Sequence, residues 1–306
     1  MTKRLSGGQP LALDSRVEAA SSLVVFLDLD QTLAPIRPEI EPKGALADLR
    51  PILDQLSSLE GVLVCVLSRS GLAELRKRLD LPRVVYAGDY GLEIEGESFR
   101  FLHPEAGFGR AALQQLNDRL AGLPLLFSGV QIEARSLQTV IWQWDIESPD
   151  DRDKIDTIVA TLVPANHPDL LVYKDSTSIA IRPRLDWNKA SAIRWIRERI
   201  KAPSALVIVI GDRLSEEGLF SSLDDAITIQ VGQSQEGRVS MNLGSQADLL
   251  GFLTHLCKLW KGRVDSADPA APSPRVRPAL AFGGSSPILN VRLRRAAVGR
   301  RRQTLR

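Results

Sequence analysis

Residues 24–35 read VVFLDLDQTLAP, an apolar run that ends on two aspartates, a threonine and a proline. The apolar part predicts a buried β-strand. Asp28 and Asp30 are two positions apart, so their side chains point the same way from an extended backbone. Two carboxylates this close repel each other unless something binds them. A solvated turn is one interpretation, and a site for a hard cation such as Mg²⁺ is the other.

The overall composition is that of a soluble globular protein. The chain has 306 residues, of which 44% are hydrophobic and 25% are charged, enough for one large or two modest domains. No apolar run reaches the roughly 18 residues of a membrane span, and residues 1–15 lack the apolar segment of a secretory signal. Cys65, Cys257 and three scattered histidines form neither a disulfide framework nor a zinc pattern. We therefore expect a cytoplasmic protein.

The net charge of +2 hides an uneven distribution. Residues 263–306 contain ten arginines and two aspartates, a net charge of +8, so the rest of the chain carries −6. This tail is rich in Pro, Ala, Gly and Ser, which predicts disorder. Its charge predicts only a weak, salt-sensitive attraction to nucleic acid or anionic lipid, and a merely solvated extension is the favoured interpretation.

Three short runs predict the centre of an α/β fold. Residues 23–27, 62–67 and 205–210 are almost continuously apolar and β-branched, which is typical of strands buried on both faces of a parallel sheet. Segments with helical spacing of leucine lie between them. The sequence therefore predicts a parallel-sheet core, formed by residues 21–106 and 184–262.

The middle of the chain has a different pattern. Residues 107–183 alternate helical segments with strand-like ones, and they end in a hairpin whose turn is predicted near Asp175 and Ser176. This predicts an α+β domain inserted into the core. Residues 1–20 are interpreted as a flexible N-terminal arm.

Polar residues follow each predicted core strand. Asp28 and Asp30 follow the first, Ser68 the second and Asp212 the last, while Lys189 begins the helix before that last strand. Ligands of open α/β sheets bind beyond the carboxyl ends of the strands, so these side chains are expected to converge on one crevice. Taken singly, each has a simpler explanation: Ser68 as a helix N-cap, Asp212 as a turn or cap, and Lys189 as a solvated charge.

The order of these motifs resembles the haloacid dehalogenase-like phosphatases and, more closely, the trehalose-6-phosphate phosphatases. The resemblance covers roughly residues 22–260 and implies a Rossmann-like core with an inserted α+β cap. It is carried by the stretches FLDLDQTLAPI, AGDYGLEIEG, GVQIEARSL, IRPRLDWNKASAI and IGDRLSEEGLF.

The resemblance also implies a role for each polar residue. Asp28 is the nucleophile that forms an aspartyl-phosphate, and Asp30 is the acid that protonates the leaving oxygen and then activates water. Mg²⁺ binds Asp28, Asp212 and the backbone carbonyl of Asp30. Ser68 and Lys189 hold the phosphoryl oxygens, and the cap excludes water.

The core motifs depart from the family at three places. Gln31 replaces a glycine, and the family's Ser-Gly-Arg becomes Ser-Arg-Ser with Arg69 in the middle. Arg213 replaces the second aspartate of Gly-Asp-Asp, which predicts weaker Mg²⁺ binding through charge repulsion. Glu216 and Glu217 are the candidates to compensate for the lost carboxylate.

The cap departs further. Glu133 and Arg135 retain part of the family's Glu-x-Lys and are the predicted contacts to the sugar, with a surface ion pair as the alternative. The family's His-Tyr-Arg falls on Trp142, Gln143 and Trp144, and a glutamate falls on Ala180. Two interpretations remain for Trp142 and Trp144: they stack on a sugar, or they pack in the core of the cap. Packing in the core is favoured.

The function implied by the resemblance is Mg²⁺-dependent hydrolysis of a sugar phosphate through an aspartyl-phosphate, with trehalose 6-phosphate converted to trehalose. Two alternatives remain. One is a phosphatase for another glycosyl phosphate, and the other is a non-catalytic relative that binds a sugar phosphate or a partner protein. The changes at Arg213 and in the cap favour these alternatives, whereas the retained core residues favour catalysis.

Overall fold

The computed structural model describes residues 10–30, 45–175, 177–200, 202, 204–212, 223, 225–232 and 239–266. Within these ranges the strands are β1 (Leu23–Asp28), β2 (Val62–Leu67), β3 (Val84–Gly88), β4 (Glu93–Gly96), β5 (Phe99–Leu102), β6 (Gln131–Ala134), β7 (Thr139–Trp142), β8 (Leu170–Lys174), β9 (Ser178–Pro183), β10 (Leu206–Gly211), β11 (Ile227–Val231) and β12 (Met241–Leu243). The helices are α1 (Pro10–Ala19), α2 (Ala45–Ser58), α3 (Leu72–Leu79), α4 (Arg110–Leu120), α5 (Leu123–Leu126), α6 (Pro149–Asn166), α7 (Lys189–Arg199) and α8 (Gln246–Ser266).

The core is an eight-stranded sheet in the order β12–β11–β10–β1–β2–β3–β4–β5. The first six strands of this order are parallel, whereas β4 and β5 are antiparallel additions at one edge. Strand β1 is central, and its residues Leu23–Leu27 pair with Leu206–Ile210 of β10. Both neighbours of β1 run parallel to it, so the carboxyl ends of three apolar strands meet at one edge.

Alternating side chains of β1 enter two separate cores. Val25 and Leu27 pack on one face of the sheet with residues from α1, α2, α3 and α8. Val24 and Phe26 pack on the opposite face, where α7 lies. Because both faces are covered, the strands are apolar at every position, as the sequence pattern predicts.

The N-terminal segment is ordered where a flexible arm was expected. Helix α1 buries Leu13 and Val17, and Ala20 follows them into the core next to α8. These residues recur at intervals of four and three, which places them on one face of a helix. The prediction of an arm is therefore wrong for residues 10–20, and residues 1–9 lie outside the described part.

The C-terminal boundary also differs. Helix α8 continues to Ser266, four residues into the segment predicted to be disordered. Val264 packs against the core, and the guanidinium of Arg263 lies 4.7 Å from the centre of the Trp260 ring, which accounts for the extra turn. Residues 267–306 lie outside the described part, so their predicted disorder stays a prediction. Among the described helices, none is both long and apolar enough to cross a bilayer.

The elements from α4 to β9 form the cap. Its four strands make an antiparallel sheet in the order β6–β7–β9–β8. Ile141 and Ile181 point into an apolar core shared with α4 and α6, while the alternate residues Val140 and Ala180 face the opposite side. The predicted hairpin is β8–β9, where the backbone N–H of Asp175 donates to the Ser178 carbonyl at 2.9 Å. The predicted fold class, an α/β core with an inserted α+β cap, is confirmed.

Candidate active site

The predicted polar residues meet at the carboxyl edge of the core sheet. Asp28, Asp30, Lys189 and Asp212 line one crevice of about 340 Å³, which the cap strands β8 and β9 cover from the other side. Ser68 lies directly behind Asp30 and is fully buried. The sequence-based expectation of one shared crevice therefore holds for Asp28, Asp30, Lys189 and Asp212, whereas Ser68 contacts this group through Asp30.

Asp28 and Lys189 form a buried ion pair. The Lys189 ammonium donates to Oδ2 of Asp28 at 2.7 Å, and the two residues are 7% and 3% exposed. The backbone N–H of Asp30 donates to Oδ1 of the same carboxylate at 3.2 Å. Lys189 is held at the first position of α7, whose N-cap is Asn188. A buried carboxylate so bound keeps one orientation.

Asp30 is held by three residues. The Ser68 hydroxyl donates to Oδ1 at 2.7 Å, the backbone N–H of Arg69 donates to Oδ2, and Lys189 reaches Oδ2 at 3.5 Å. Burial raises the pKa of Asp30, but the charges of Lys189 and Arg69, together with the hydrogen bonds, outweigh it and lower the pKa below its ordinary value. The cation between the two aspartates thus removes the repulsion that their spacing predicts.

Ser68 is not a helix N-cap. Helix α3 begins after Gly71, which has no side-chain cap. Instead, the Ser68 hydroxyl donates to Asp30 and accepts from the backbone N–H of Ser70 at 2.9 Å. The capping interpretation is therefore wrong, and the hydroxyl instead holds Asp30 from behind.

Asp212 is the half-buried residue that follows β10. Its carbonyl accepts a hydrogen bond from the Gln230 side chain at 3.2 Å, which fixes the strand end. The residues predicted to modify its charge, Arg213, Glu216 and Glu217, lie outside the described part of the chain, as does Gln31. Within the described residues, no three or more His, Cys, Asp or Glu side chains are grouped to hold a metal ion.

Comparison with known proteins identifies the family. A sequence model of the trehalose-phosphatase family matches residues 26–248. The chain belongs to the trehalose-phosphatase family. The trehalose-phosphate phosphatase of Mycobacterium marinum is 27% identical over 223 residues, which make up 70% of this chain and 55% of that protein. The enzyme of Mycobacterium leprae is 24% identical over 216 residues, 65% of this chain and 47% of that protein. The chain thus spans about half the length of the curated relatives it matches.

Solved structures of trehalose-phosphatase relatives have the same fold. The C-terminal domain of trehalose-6-phosphate phosphatase from Candida albicans superposes with a TM-score of 0.68 at 20% identity, covering 84% of this chain and 98% of that domain. A trehalose-6-phosphate phosphatase related protein superposes with a TM-score of 0.65 at 19% identity, covering 78% and 99%. The family prediction is confirmed, and these similarities show a common fold.

Arg69, a departure from the trehalose-phosphatase motif, joins the core to the cap. Its guanidinium donates to Asp175 of the β8–β9 turn at 2.7 Å and lies 3.8 Å from Asp30. Its carbonyl accepts hydrogen bonds from Arg135 and Gln138 of the cap. The only sequence signal of this role was an arginine where the family has glycine, and its partner lies 106 residues away.

Glu133 and Arg135 bind mainly each other and the core. Arg135 donates to Glu133 from Nε at 2.5 Å and from Nη2 at 2.7 Å, and it also reaches Glu74 at 3.5 Å. Arg135 borders a narrow extension of the crevice, which Trp142 also lines. The charges of Glu133 and Arg135 already pair with each other. Their contact with a sugar stays a prediction.

The cap tryptophans stack on one another. The ring centres of Trp142 and Trp144 lie 4.2 Å apart with planes 21° apart, and the Trp142 indole N–H donates to Glu133 at 3.1 Å. Trp142 is buried, while Trp144 is half-buried. Gln143, which lies between the two tryptophans in the sequence, is also buried. Ala180 lines the crevice. Trp142 lies on the same side of β7 as Val140, facing the crevice, and is not part of the apolar cluster of the cap, so the favoured place in the cap core is wrong for Trp142.

Two further contacts between core and cap had no sequence prediction. Arg182 contacts the rings of Tyr90 and Tyr173, which come from core and cap. Asp89 is buried and accepts a hydrogen bond from the Gln138 amide of the cap at 2.6 Å. Burial, opposed by the charge of Arg135 and by that hydrogen bond, raises the pKa of Asp89 to about 6.

Proposed function

We propose that the chain hydrolyses the phosphomonoester of a sugar phosphate, and that trehalose 6-phosphate is the substrate. The observation that carries this is the buried pair of Asp28 and Lys189 at 2.7 Å, beside Asp30 and Ser68, at the floor of a crevice beneath the cap. Membership of the trehalose-phosphatase family and the names of the mycobacterial relatives support it.

The first step is transfer of the phosphoryl group to Asp28. A carboxylate oxygen of Asp28 attacks phosphorus, and the bond between phosphorus and the sugar oxygen breaks. Asp30 donates a proton to that leaving oxygen, so the sugar departs as a neutral alcohol. Asp30 is two residues from the nucleophile and lines the same crevice, which places an acid beside the breaking bond.

The second step regenerates Asp28. A water molecule loses a proton to Asp30 while its oxygen attacks phosphorus, and the acyl phosphate bond to Asp28 breaks. Inorganic phosphate leaves with the added oxygen. One carboxyl group thus serves as acid in the first step and as base in the second, so no other titratable group is required.

Ser68 and Lys189 are the donors for the transferring group. Without ligand, they bind Asp28 and Asp30 at 2.7 Å each. We expect both to donate to phosphoryl oxygens in the complex, where a dianion replaces these carboxylates as the stronger acceptor. That exchange withdraws Lys189 from Asp30, and the loss of a neighbouring cation favours protonation of this acid.

The crevice suits Mg²⁺. Asp28 and Asp212 both line the crevice, and the backbone carbonyl of Asp30 is the proposed third protein ligand. Mg²⁺ is commonly held by one or two carboxylates together with water and substrate phosphate, so a cluster of three acids is not needed. When bound, the ion would offset the repulsion between the attacking carboxylate and the phosphate dianion.

A phosphatase for another glycosyl phosphate is the second candidate. The observation that favours it is the pairing of Glu133 with Arg135 and Trp142, which uses the polar groups expected to hold trehalose. On this view the chemistry is unchanged and discrimination among sugar phosphates is weaker.

Phosphate release from a panel of sugar phosphates, with Mg²⁺ or with a chelator, tests the proposal. We expect Mg²⁺-dependent release, fastest from trehalose 6-phosphate, and no turnover by Asp28→Asn, which should still show the circular dichroism of a folded chain although Lys189 loses a charged partner. Asp118→Asn, on the exposed face of α4, is the control and should behave as wild type. Sugar-phosphate binding without hydrolysis by the wild type would instead identify a non-catalytic relative.

A further inference from the structure

Arg182 is a buried cation at the boundary between core and cap. It lies on β9, lines the crevice and is 6% exposed. The carbon of its guanidinium lies 4.0 Å from the ring centre of Tyr90 and 3.9 Å from that of Tyr173. Aromatic faces attract a cation without using the N–H groups at its edge.

The N–H groups of Arg182 point toward no acceptor in the described part of the chain. Among the described residues, no side chain or carbonyl accepts a hydrogen bond from its guanidinium, and no carboxylate pairs with it. The other two arginines of this boundary are bound: Arg69 to Asp175 and Arg135 to Glu133. A buried guanidinium without acceptors is costly unless a ligand or water supplies them.

The position of Arg182 relates it to the reacting group. The ring of Tyr90 contacts the guanidinium of Arg182, and the ammonium of Lys189 lies 5.8 Å from the centre of the same ring. Lys189 binds the nucleophile, so the ring of Tyr90 adjoins both Arg182 and the group that is proposed to hold the phosphoryl oxygens. Ala180, two residues earlier on the same face of β9, leaves room beside it.

We propose that Arg182 is a sugar-binding residue of the cap, whose guanidinium edge binds hydroxyl oxygens of a neutral sugar leaving group. The inference rests on the proposed function and names the contact that the paired Glu133 and Arg135 do not provide. A neutral leaving group is favoured because the crevice lining already holds five aspartates and four cations, which leaves no surplus positive charge for a second anion. Planar guanidinium groups match adjacent oxygen pairs.

The experiment compares Arg182→Met with wild type on trehalose 6-phosphate and glucose 6-phosphate, with inhibition by inorganic phosphate measured in parallel. Loss of hydrogen bonds from a charged donor should lower kcat/KM on both sugar phosphates by about ten- to a hundredfold. The inhibition constant of inorganic phosphate, which lacks a sugar, should change less than about twofold. Arg182→Lys should recover only part of the loss, because the planar fork is absent.

Arg184→Met is the matched control. Arg184 is exposed, and its guanidinium donates to the carbonyls of Pro168 and Leu170 outside the crevice, so this variant should behave as wild type. Unchanged kcat/KM in Arg182→Met, or an equal weakening of phosphate inhibition, would overturn the inference.

The role of Arg182 can still be tested if the proposed hydrolysis is not observed. If wild type hydrolyses neither sugar phosphate, calorimetric binding of trehalose 6-phosphate decides the inference. Weaker binding by Arg182→Met would support it, whereas equal binding, or none by wild type, would refute it.

Discussion

The ion pair between Arg69 and Asp175 should contribute measurably to holding the cap on the core. Its N–O distance is 2.7 Å, and the two side chains are 22% and 9% exposed. Fully exposed pairs contribute about 0–1 kcal/mol, whereas hydrogen bonds to charged groups contribute about 1.5–3 kcal/mol. Because this pair is mostly buried, we expect a coupling free energy of about 1–2 kcal/mol.

A double-mutant cycle in urea unfolding measures this coupling. Arg69→Met keeps the length of the side chain and removes its charge. Asp175→Asn keeps the oxygen that accepts the backbone N–H groups of Thr177 and Ser178, so the β8–β9 turn is preserved. We also expect Arg69→Met to lower kcat, because the guanidinium lies 3.8 Å from Asp30.

The pair of Arg83 and Asp54 is the control. These side chains are 3.1 Å apart but 48% and 49% exposed, so their coupling should stay below about 0.5 kcal/mol. If the cycle at Arg69 and Asp175 gives no more than this control, burial does not strengthen the contact and the reasoning fails.

Three further outcomes are expected. Burial raises the pKa of Asp89 to about 6 from 3.8, so the folded state binds this proton more tightly and stability should fall as pH rises from 4.5 to 7. Relative to Asp89→Asn, wild type should lose about 2 kcal/mol over this range in urea unfolding, and parallel curves would contradict the assignment. Val17→Ala should destabilise the fold by about 2 kcal/mol while exposed Glu18→Ala stays within about 0.5, and equal melting temperatures would contradict the packing of α1. A chain ending at Ser266 should keep wild-type activity and stability, whereas one ending at Lys261 loses the Val264 contact and should melt lower; a loss of activity on ending at Ser266 would show that the tail matters.

The core of the site could be predicted because it depends on local patterns. Apolar runs identify strands, and parallel strands bring their carboxyl ends to one edge, so Asp28, Ser68 and Asp212 had to converge. No such rule links Arg69 to Asp175, because their contact depends on how the cap sits on the core. The same holds for Arg182 and its two tyrosines, which come from separate sheets.

The prediction of a flexible arm was wrong for residues 10–20 for a different reason. The apolar residues of α1 are few and widely spaced, so composition favoured a loose arm, yet Leu13 and Val17 are buried against the core that includes α8. Their burial depends on a helix more than 220 residues later in the chain. Local pattern cannot reveal a partner at that distance.

The central position of β1 has a consequence for biosynthesis. Its residues pair on one side with β2, about 40 residues later, and on the other with β10, about 180 residues later. On the ribosome, therefore, one edge of this apolar strand stays open until residue 211 has emerged, by which point the whole cap has been synthesised. An open apolar edge invites pairing with other chains, so we expect nascent chains released before residue 206 to aggregate or to engage chaperones, and those released after α8 to resist protease. Limited proteolysis of stalled chains of both lengths would test this expectation, and equal protease resistance would contradict it.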